Sequence, residues 1–250
     1  MDSFKNKRVL VTGGSRGIGR GIVEVLAGEG ATVWALARNA DNLDALKRDV
    51  KGVQTFVGDV TDPKTASETL QKIRPDILVL NAGATPVIKP IQEQTWEQFN
   101  IAWETDVKAT FQYGKAALLT PLAPGSIVVI VSSAAAFGRA VLSGSYAGAK
   151  RTQWFLANHL QLEADKLKLG IHFMVLIPKQ MIGATELGHT AAMAYAGYEG
   201  ISEQAYLERM GVPFLTPEIV GQGLAYLLKD DVYRNSVAFS VSSQEIAPVN

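Results

Sequence analysis

Ser133, Tyr146 and Lys150 are the side chains of this sequence best suited to moving a proton. Tyr146 and Lys150 stand four apart in Ser145-Tyr146-Ala147-Gly148-Ala149-Lys150, which opens an apolar stretch running through Trp154 and Leu160. On a helix that spacing puts both on one face. A free tyrosine titrates near ~10 and carries protons poorly at neutral pH. A neighbouring ammonium favours the phenolate and brings the exchange toward working pH, as acid–base catalysis requires. Ser133 follows the apolar run Ser126–Val131, at a strand end where a hydroxyl can hold a substrate oxygen. Its neighbour Ser132 is the lesser candidate. A Tyr-x-x-x-Lys pair alone is commonplace on helix surfaces, so its meaning depends on its company.

That company is a glycine-rich turn, VLVTGGSRGIGRG, from Val9 to Gly21. A strand ends at Thr12, and a helix begins near Gly17-Ile18. Glycine lets the backbone approach a pyrophosphate closely, and the following helix N-terminus offers N–H groups and a positive dipole end. Such a turn can also be purely structural; its place between the first strand and the first helix favours an anion. Gly13, Ser15, Arg16, Gly17, Ile18 and Gly19 are the expected cradle.

The spacing T-G-x-x-x-G-x-G, with Gly13, Gly17 and Gly19, differs from the G-x-G-x-x-G of ordinary dinucleotide domains. It resembles the loop of the short-chain dehydrogenase/reductase family. Asp59-Val60, after the third strand, resembles that family's adenine-contacting pair. Asn81-Ala82-Gly83, after the fourth, resembles its Asn-Ala-Gly motif, which steadies the sheet and lines the cofactor site. Ser133, Tyr146 and Lys150 match its catalytic signature, and the likeness runs in order over residues 5–178. It implies an oxidoreductase moving a hydride between nicotinamide and a carbonyl or alcohol, with Tyr146 as general acid/base. Lys150 tunes Tyr146 and binds the nicotinamide ribose, and Pro178 joins the cofactor site after the sixth strand. The chain departs from the pattern in places. Asp106 stands where the family places a relay asparagine, and its charge is available to Lys150; Asn100 is too early in the helix for that role. Lys179 follows Pro178 where glycine is usual, Thr185 is out of register, Leu80 precedes Asn81, and no Asp-Gly-Gly follows the last strand, Ser236–Val241.

NAD-preferring folds place a carboxylate at the end of the second strand, on the ribose 2′-hydroxyl. Here the segment reads Trp34-Ala35-Leu36-Ala37-Arg38-Asn39, without one. Arg38 and Arg16 can clamp a 2′-phosphate through charge-assisted bonds, so NADP(H) is expected; Arg38 as a merely solvated arginine is the alternative.

These residues need a frame, and the chain supplies an alternating one. Apolar runs at Arg8–Thr12, Thr32–Ala37, Val53–Val57, Asp76–Leu80, Ser126–Val131 and Ile171–Ile177 suit parallel strands buried on both faces. Amphipathic segments such as Ile18–Leu26 lie between them. The expectation is one α/β domain over residues 1–250, a doubly wound, Rossmann-like parallel sheet with helices on both faces. Residues 179–213 break the rhythm. Met193, Tyr195, Tyr198 and Tyr206 make them an expected apolar substrate lid of short helices, or else an interface.

Lys+Arg and Asp+Glu are both 24, so no global field recruits nucleic acid or an anionic membrane. There are no cysteines, which removes disulfides and thiolate chemistry. Neither an 18-residue apolar span nor a signal-like N-terminus appears, and a cytoplasmic protein is expected. No His/carboxylate cluster has metal spacing, so no metal is expected, and no G-x-S-x-G elbow points to a hydrolase. His159 and His172 read as packed or satisfied core residues, His189 as part of the lid, and Trp34, Trp96, Trp103 and Trp154 as structural. Apolar faces near Trp96–Leu118 and Ser145–Leu167, with the resemblance, imply a homotetramer or dimer. A small-molecule carbonyl or alcohol is the expected substrate. A cofactor-sensing protein with little turnover, supported by Asp106 and Pro178-Lys179, is the chief alternative. A redox-neutral epimerase or dehalogenase is a weaker one.

Overall fold

The apolar runs become strands almost residue for residue. The computed structural model describes residues 4–138, 141–180, 185–210, 214–229, 233–234 and 236–249. Its strands are β1 (Arg8–Thr12), β2 (Thr32–Ala37), β3 (Gln54–Val57), β4 (Ile77–Leu80), β5 (Ile127–Val131), β6 (His172–Pro178), β7 (Ala238–Val241) and β8 (Ile246–Pro248). They form one sheet in the order β3-β2-β1-β4-β5-β6-β7-β8, parallel except for the antiparallel β8. The order reverses between β1 and β4, and at such a switch point a crevice opens beyond the carboxyl ends of the strands.

Alternation along each strand feeds two separate cores. Val9 and Val11 of β1 pack with Ile22 and Leu26 of α1 (Gly17–Gly28) and Leu224 of α9 (Pro217–Lys229); Leu43 of α2 (Ala40–Asp49) joins this face. Leu10, between those valines, faces the other core. There it joins Leu70 of α3 (Pro63–Ile73), Tyr113 of α5 (Lys108–Leu119) and Leu160 of α6 (Gly144–Lys166). Burial on both faces is why these strands read as continuous apolar runs.

Helices α1 and α9 meet backbone to backbone. A Cβ on Gly21 would lie 2.3 Å from the carbonyl oxygen of Pro217, and one on Gly221 would lie 2.7 Å from that of Gly21. The segment expected as the fourth helix is interrupted. Helix α4 (Trp96–Ala102) opens with a reciprocal Thr95/Gln98 capping box and passes through a π-helical turn, Trp103–Val107, before α5. Single π turns inside helices are frequent at functional sites because they re-aim side chains.

Several sequence readings change. His159 is exposed and paired with Glu163 (3.4 Å) rather than packed, since it lies on the outer face of α6. Trp96 is 68% exposed, at the outer start of α4, so it carries no core packing. Strand β8 is only three residues long, too short to stand out as a run. In the expected lid, α7 (Glu186–Glu199) and α8 (Glu203–Met210) appear, whereas residues 181–184 and 211–213, with Met181, Ile182 and Gly183 of the departing segment, lie outside the described residues. Tyr195 of α7 stacks on buried Tyr206 of α8 (5.8 Å), but Met193 and Tyr198 are exposed. The Tyr195 and Ser143 hydroxyls are 3.0 Å apart, which ties α7 to the start of α6. His189 pairs with Glu203 at 2.7 Å. Among the described residues no helix is long and apolar enough to cross a membrane.

Tyr113 gives the fold a pH signature. Its ring is fully buried, and its hydroxyl lies 3.2 Å from that of Thr69. Burial pushes the phenol up to about 12. An unfolded tyrosine ionises near ~10. Between those values the folded chain binds more protons than the unfolded one, so stability falls as pH rises. Denaturant unfolding is expected to show a loss of about 2–3 kcal/mol from this group between roughly pH 10 and 12. Tyr113→Phe should flatten that part of the pH profile.

Candidate cofactor and catalytic cleft

A cleft of about 630 Å³ opens at the switch point, within the usual size range of small-molecule sites. Its floor is the turn after β1. No side chain caps the first turn of α1, and Ser15, Arg16, Gly17 and Ile18 all line the cleft, so the amides of that turn suit an anion. Gly19 sits just behind the wall. A Cβ there would lie 2.2 Å from the Gly13 carbonyl oxygen, so the turn can close only on glycine.

Thr12 fastens this turn to the next strand. Its hydroxyl donates to the Val79 carbonyl (3.2 Å) and accepts from the amides of Asn81 (3.0 Å) and Ala82 (3.2 Å). The Asn81 side-chain amide donates to the carbonyls of Thr12 (3.2 Å) and Gly13 (3.3 Å). Asn81 and Ala82 therefore bind β4 to β1, and with Gly83 they line the cleft.

Arg38, at the end of β2, and Asp59 and Val60, after β3, form the far wall. The Asp59 carboxylate accepts from the amide and hydroxyl of Thr61, both at 2.8 Å, and this, aided by nearby Arg38, holds it below the usual carboxylate range. Arg16 and Arg38 are in different situations. Arg38 is exposed on the wall, whereas Arg16 is ion-paired with Glu186, the first residue of α7.

Tyr146, half-buried, and Lys150, buried, enter from the first turns of α6. The Lys150 ammonium lies 5.5 Å from the centre of the Tyr146 ring and donates to the Val131 carbonyl (3.3 Å). It also stands 3.0 Å from Oδ2 of Asp106, with the two side chains 6% and 1% exposed. The π turn presents Asp106 inward. Its Oδ1 accepts from the Ala84 amide (2.9 Å), and its carbonyl accepts from the Thr110 hydroxyl and the Gln153 side chain. Gly83 makes the room, because a Cβ there would lie 2.7 Å from Oδ2. Burial by itself pushes the Lys150 ammonium toward neutrality, but the Asp106 carboxylate, with Tyr146, more than reverses this and leaves it raised.

The structure thus brings Tyr146, Lys150 and Asp106 into the cleft beside the glycine turn. Ser133 and Pro178 are not among its lining residues. Ser133 caps the short 3-10 turn Ala134–Phe137, accepting from the Ala135 amide (3.2 Å), and Pro178 is buried beside Val241. Just past β5 the lining hydroxyl residue is Ser132, whose Oγ donates to the Lys150 carbonyl (2.9 Å) and so fixes the helix that carries the lysine. Sequence reasoning missed Asn39, Asn42, Thr105, Glu186 and Leu187 as wall residues. The residues after the second strand carried a signal for the first two. Nothing local marked Glu186.

Comparison with known proteins follows the same line. A family model described as short chain dehydrogenase matches residues 7–192. The human L-xylulose reductase is 32% identical over 170 residues, covering 66% of this chain and 69% of that protein. The 3-oxoacyl-(acyl-carrier-protein) reductase of Escherichia coli strain K12 is 30% identical over 240 residues, 92% of each chain. The D-erythrulose reductase of Gallus gallus is 30% identical over 135 residues, 53% of this chain and 55% of that protein.

Proposed function

Since this chain belongs to the short chain dehydrogenase family, we propose that it is an NADP(H)-dependent oxidoreductase reducing a small carbonyl compound, or oxidising the matching alcohol, with Tyr146 as general acid/base. The observation that carries the reading is one continuous cleft lined by Tyr146 and Lys150 together with a glycine turn that has no room for a side chain at Gly13 or Gly19. The residues fit a dinucleotide. An uncapped helix start suits the pyrophosphate, and Arg38, exposed on the cleft wall, would hold the 2′-phosphate of NADP, joined by Arg16 on its release from Glu186. Asp59 and Val60, on the far wall, are read as contacts of the adenine end and Lys150 as holding the nicotinamide ribose.

When bound, reduced nicotinamide supplies the hydride. Tyr146 gives its phenolic proton to the substrate oxygen as the carbon accepts that hydride. Lys150 places positive charge beside the phenol and so supports the anion left behind. Ser133 is read as the hydroxyl that orients the substrate oxygen, from just beyond the lining described above. The relatives' names specify ketose and 3-oxoacyl substrates, all carbonyl compounds, and a small ketone is the class expected here.

Residues 1–250 are read as one catalytic unit, with 179–213 as its lid, because Thr185, Glu186 and Leu187 already line the cleft. Exposed Phe111 on α5 and Phe155 and Leu162 on α6 support a homo-oligomer, tetramer or dimer. A cytoplasmic location goes with this reading.

The test is a fluorescence titration with NADPH and NADH, followed by NADPH turnover on a carbonyl panel. NADPH is expected to bind more tightly. Arg38→Ala should raise its Kd about 10–100-fold, the equivalent of one charge-assisted contact, and leave NADH nearly unchanged. Equal effects on both nucleotides would remove Arg38 from 2′-phosphate recognition. NADPH binding without Tyr146-dependent turnover would instead favour a cofactor-sensing protein.

A further inference from the structure

Asp106 is a carboxylate in an unusual place, 1% exposed and 3.0 Å from an ammonium that is itself buried beside the proposed proton donor. Three features hold it there. The π turn carries it inward, the Ala84 amide fixes one oxygen, and the missing side chain of Gly83 admits the other. With water excluded from the pair, its charge is little screened and acts strongly on its neighbours.

With the phenol neutral, the group formed by Tyr146, Lys150 and Asp106 has no net charge. Without the carboxylate it would carry one buried positive charge, and losing a proton would relieve it. The anion therefore makes the group hold its proton more tightly, whether that proton leaves from oxygen or nitrogen, since closely coupled groups titrate as a unit. We propose that Asp106 is a positioning residue that sets the proton affinity of the Tyr146–Lys150 pair, keeping a proton ready for delivery to a carbonyl and so biasing the site toward reduction. This rests on the reading of Tyr146 as the proton donor.

Among the described residues, the charged groups around Lys150 are accounted for. Its own helix brings Tyr146 and, one residue on, Arg151, whose guanidinium lies 4.5 Å over the Trp154 ring. The π turn brings Asp106 and Glu104, and Glu104 pairs with Lys108 at 3.3 Å. Strand β5 presents the Val131 carbonyl and the loop after β4 the Ala84 amide. Across the cleft, Arg16 and Glu186 neutralise one another.

The test is an alkaline titration of tyrosinate ultraviolet absorbance on the whole protein. Subtracting the Tyr146→Phe variant isolates Tyr146. Asp106→Asn keeps an oxygen for the Ala84 amide and removes the charge. It should move the Tyr146-dependent ionisation to lower pH by about one unit, and Asp106→Ser should move it the same way. Circular dichroism confirms that each variant is folded. A purely structural role would leave the ionisation in place, and no movement, or movement upward, would overturn the proposal. Since the titration uses neither nucleotide nor substrate, its failure is separable from failure of the proposed activity, which NADPH binding and turnover report.

Discussion

Tyr146→Phe is expected to lower kcat for carbonyl reduction by about 10²–10⁴-fold, the range that general acid catalysis contributes, while NADPH binding holds. The phenyl ring still fills the half-buried position on α6, and the Lys150 contacts with Asp106 and the Val131 carbonyl do not pass through the phenol oxygen. The substitution therefore removes a proton and little else. Stopped-flow or steady-state turnover, with nucleotide affinity measured in parallel, separates the two quantities. Turnover within about tenfold of the parent would remove Tyr146 from the proton-transfer step, since so small a change is only about 1.4 kcal/mol of barrier.

The second large effect is on stability. Asp106→Leu strands a buried ammonium, and breaking a buried pair from one side costs about 3–5 kcal/mol. For a chain of this size each kcal/mol is roughly 2–4 °C in Tm. Lys150→Met, which strands the carboxylate, should be similarly costly. The double variant should recover most of the loss, because both charges leave together and the two sites are in direct contact. Thermal unfolding of the two single variants and the double variant forms the cycle. Strictly additive losses would mean that the two side chains are stabilised separately. Asp106→Asn should be milder than Asp106→Leu because it still accepts from Ala84.

Much of the architecture could be read from residue patterns because its causes are local. β-Branched runs such as IVVIV in β5 have one comfortable conformation, and burial on both faces makes them conspicuous. The glycine turn could be read for the same reason, as could the four-residue spacing of Tyr146 and Lys150. What stayed hidden depends on contacts distant in sequence. The Arg16–Glu186 pair joins residues 170 apart, and no local pattern announces it. Asp106 could be placed beside Lys150 by its position, but its depth comes from a π turn and from the space at Gly83, and neither leaves a periodic trace. Ser132 and Ser133 are adjacent, and strand alternation sends them to different neighbours: the Lys150 carbonyl and a helix cap. Trp96 and His159 went astray because residue type was read as burial, although each lies on the outer face of its helix.

The contact between Gly21 and Gly221 bears on how the protein is made. The helix that presents the nucleotide turn, α1, is synthesised well before its partner α9, which follows about 200 residues later. At ordinary rates of synthesis that interval is roughly 10–40 s. Throughout it, the face of α1 carrying Gly21 and Val25 lacks the helix it closes against. The glycine turn can form early, but its backing arrives late. A nascent chain stalled before Pro217 should expose that face to chaperones, and release of α9 should withdraw it.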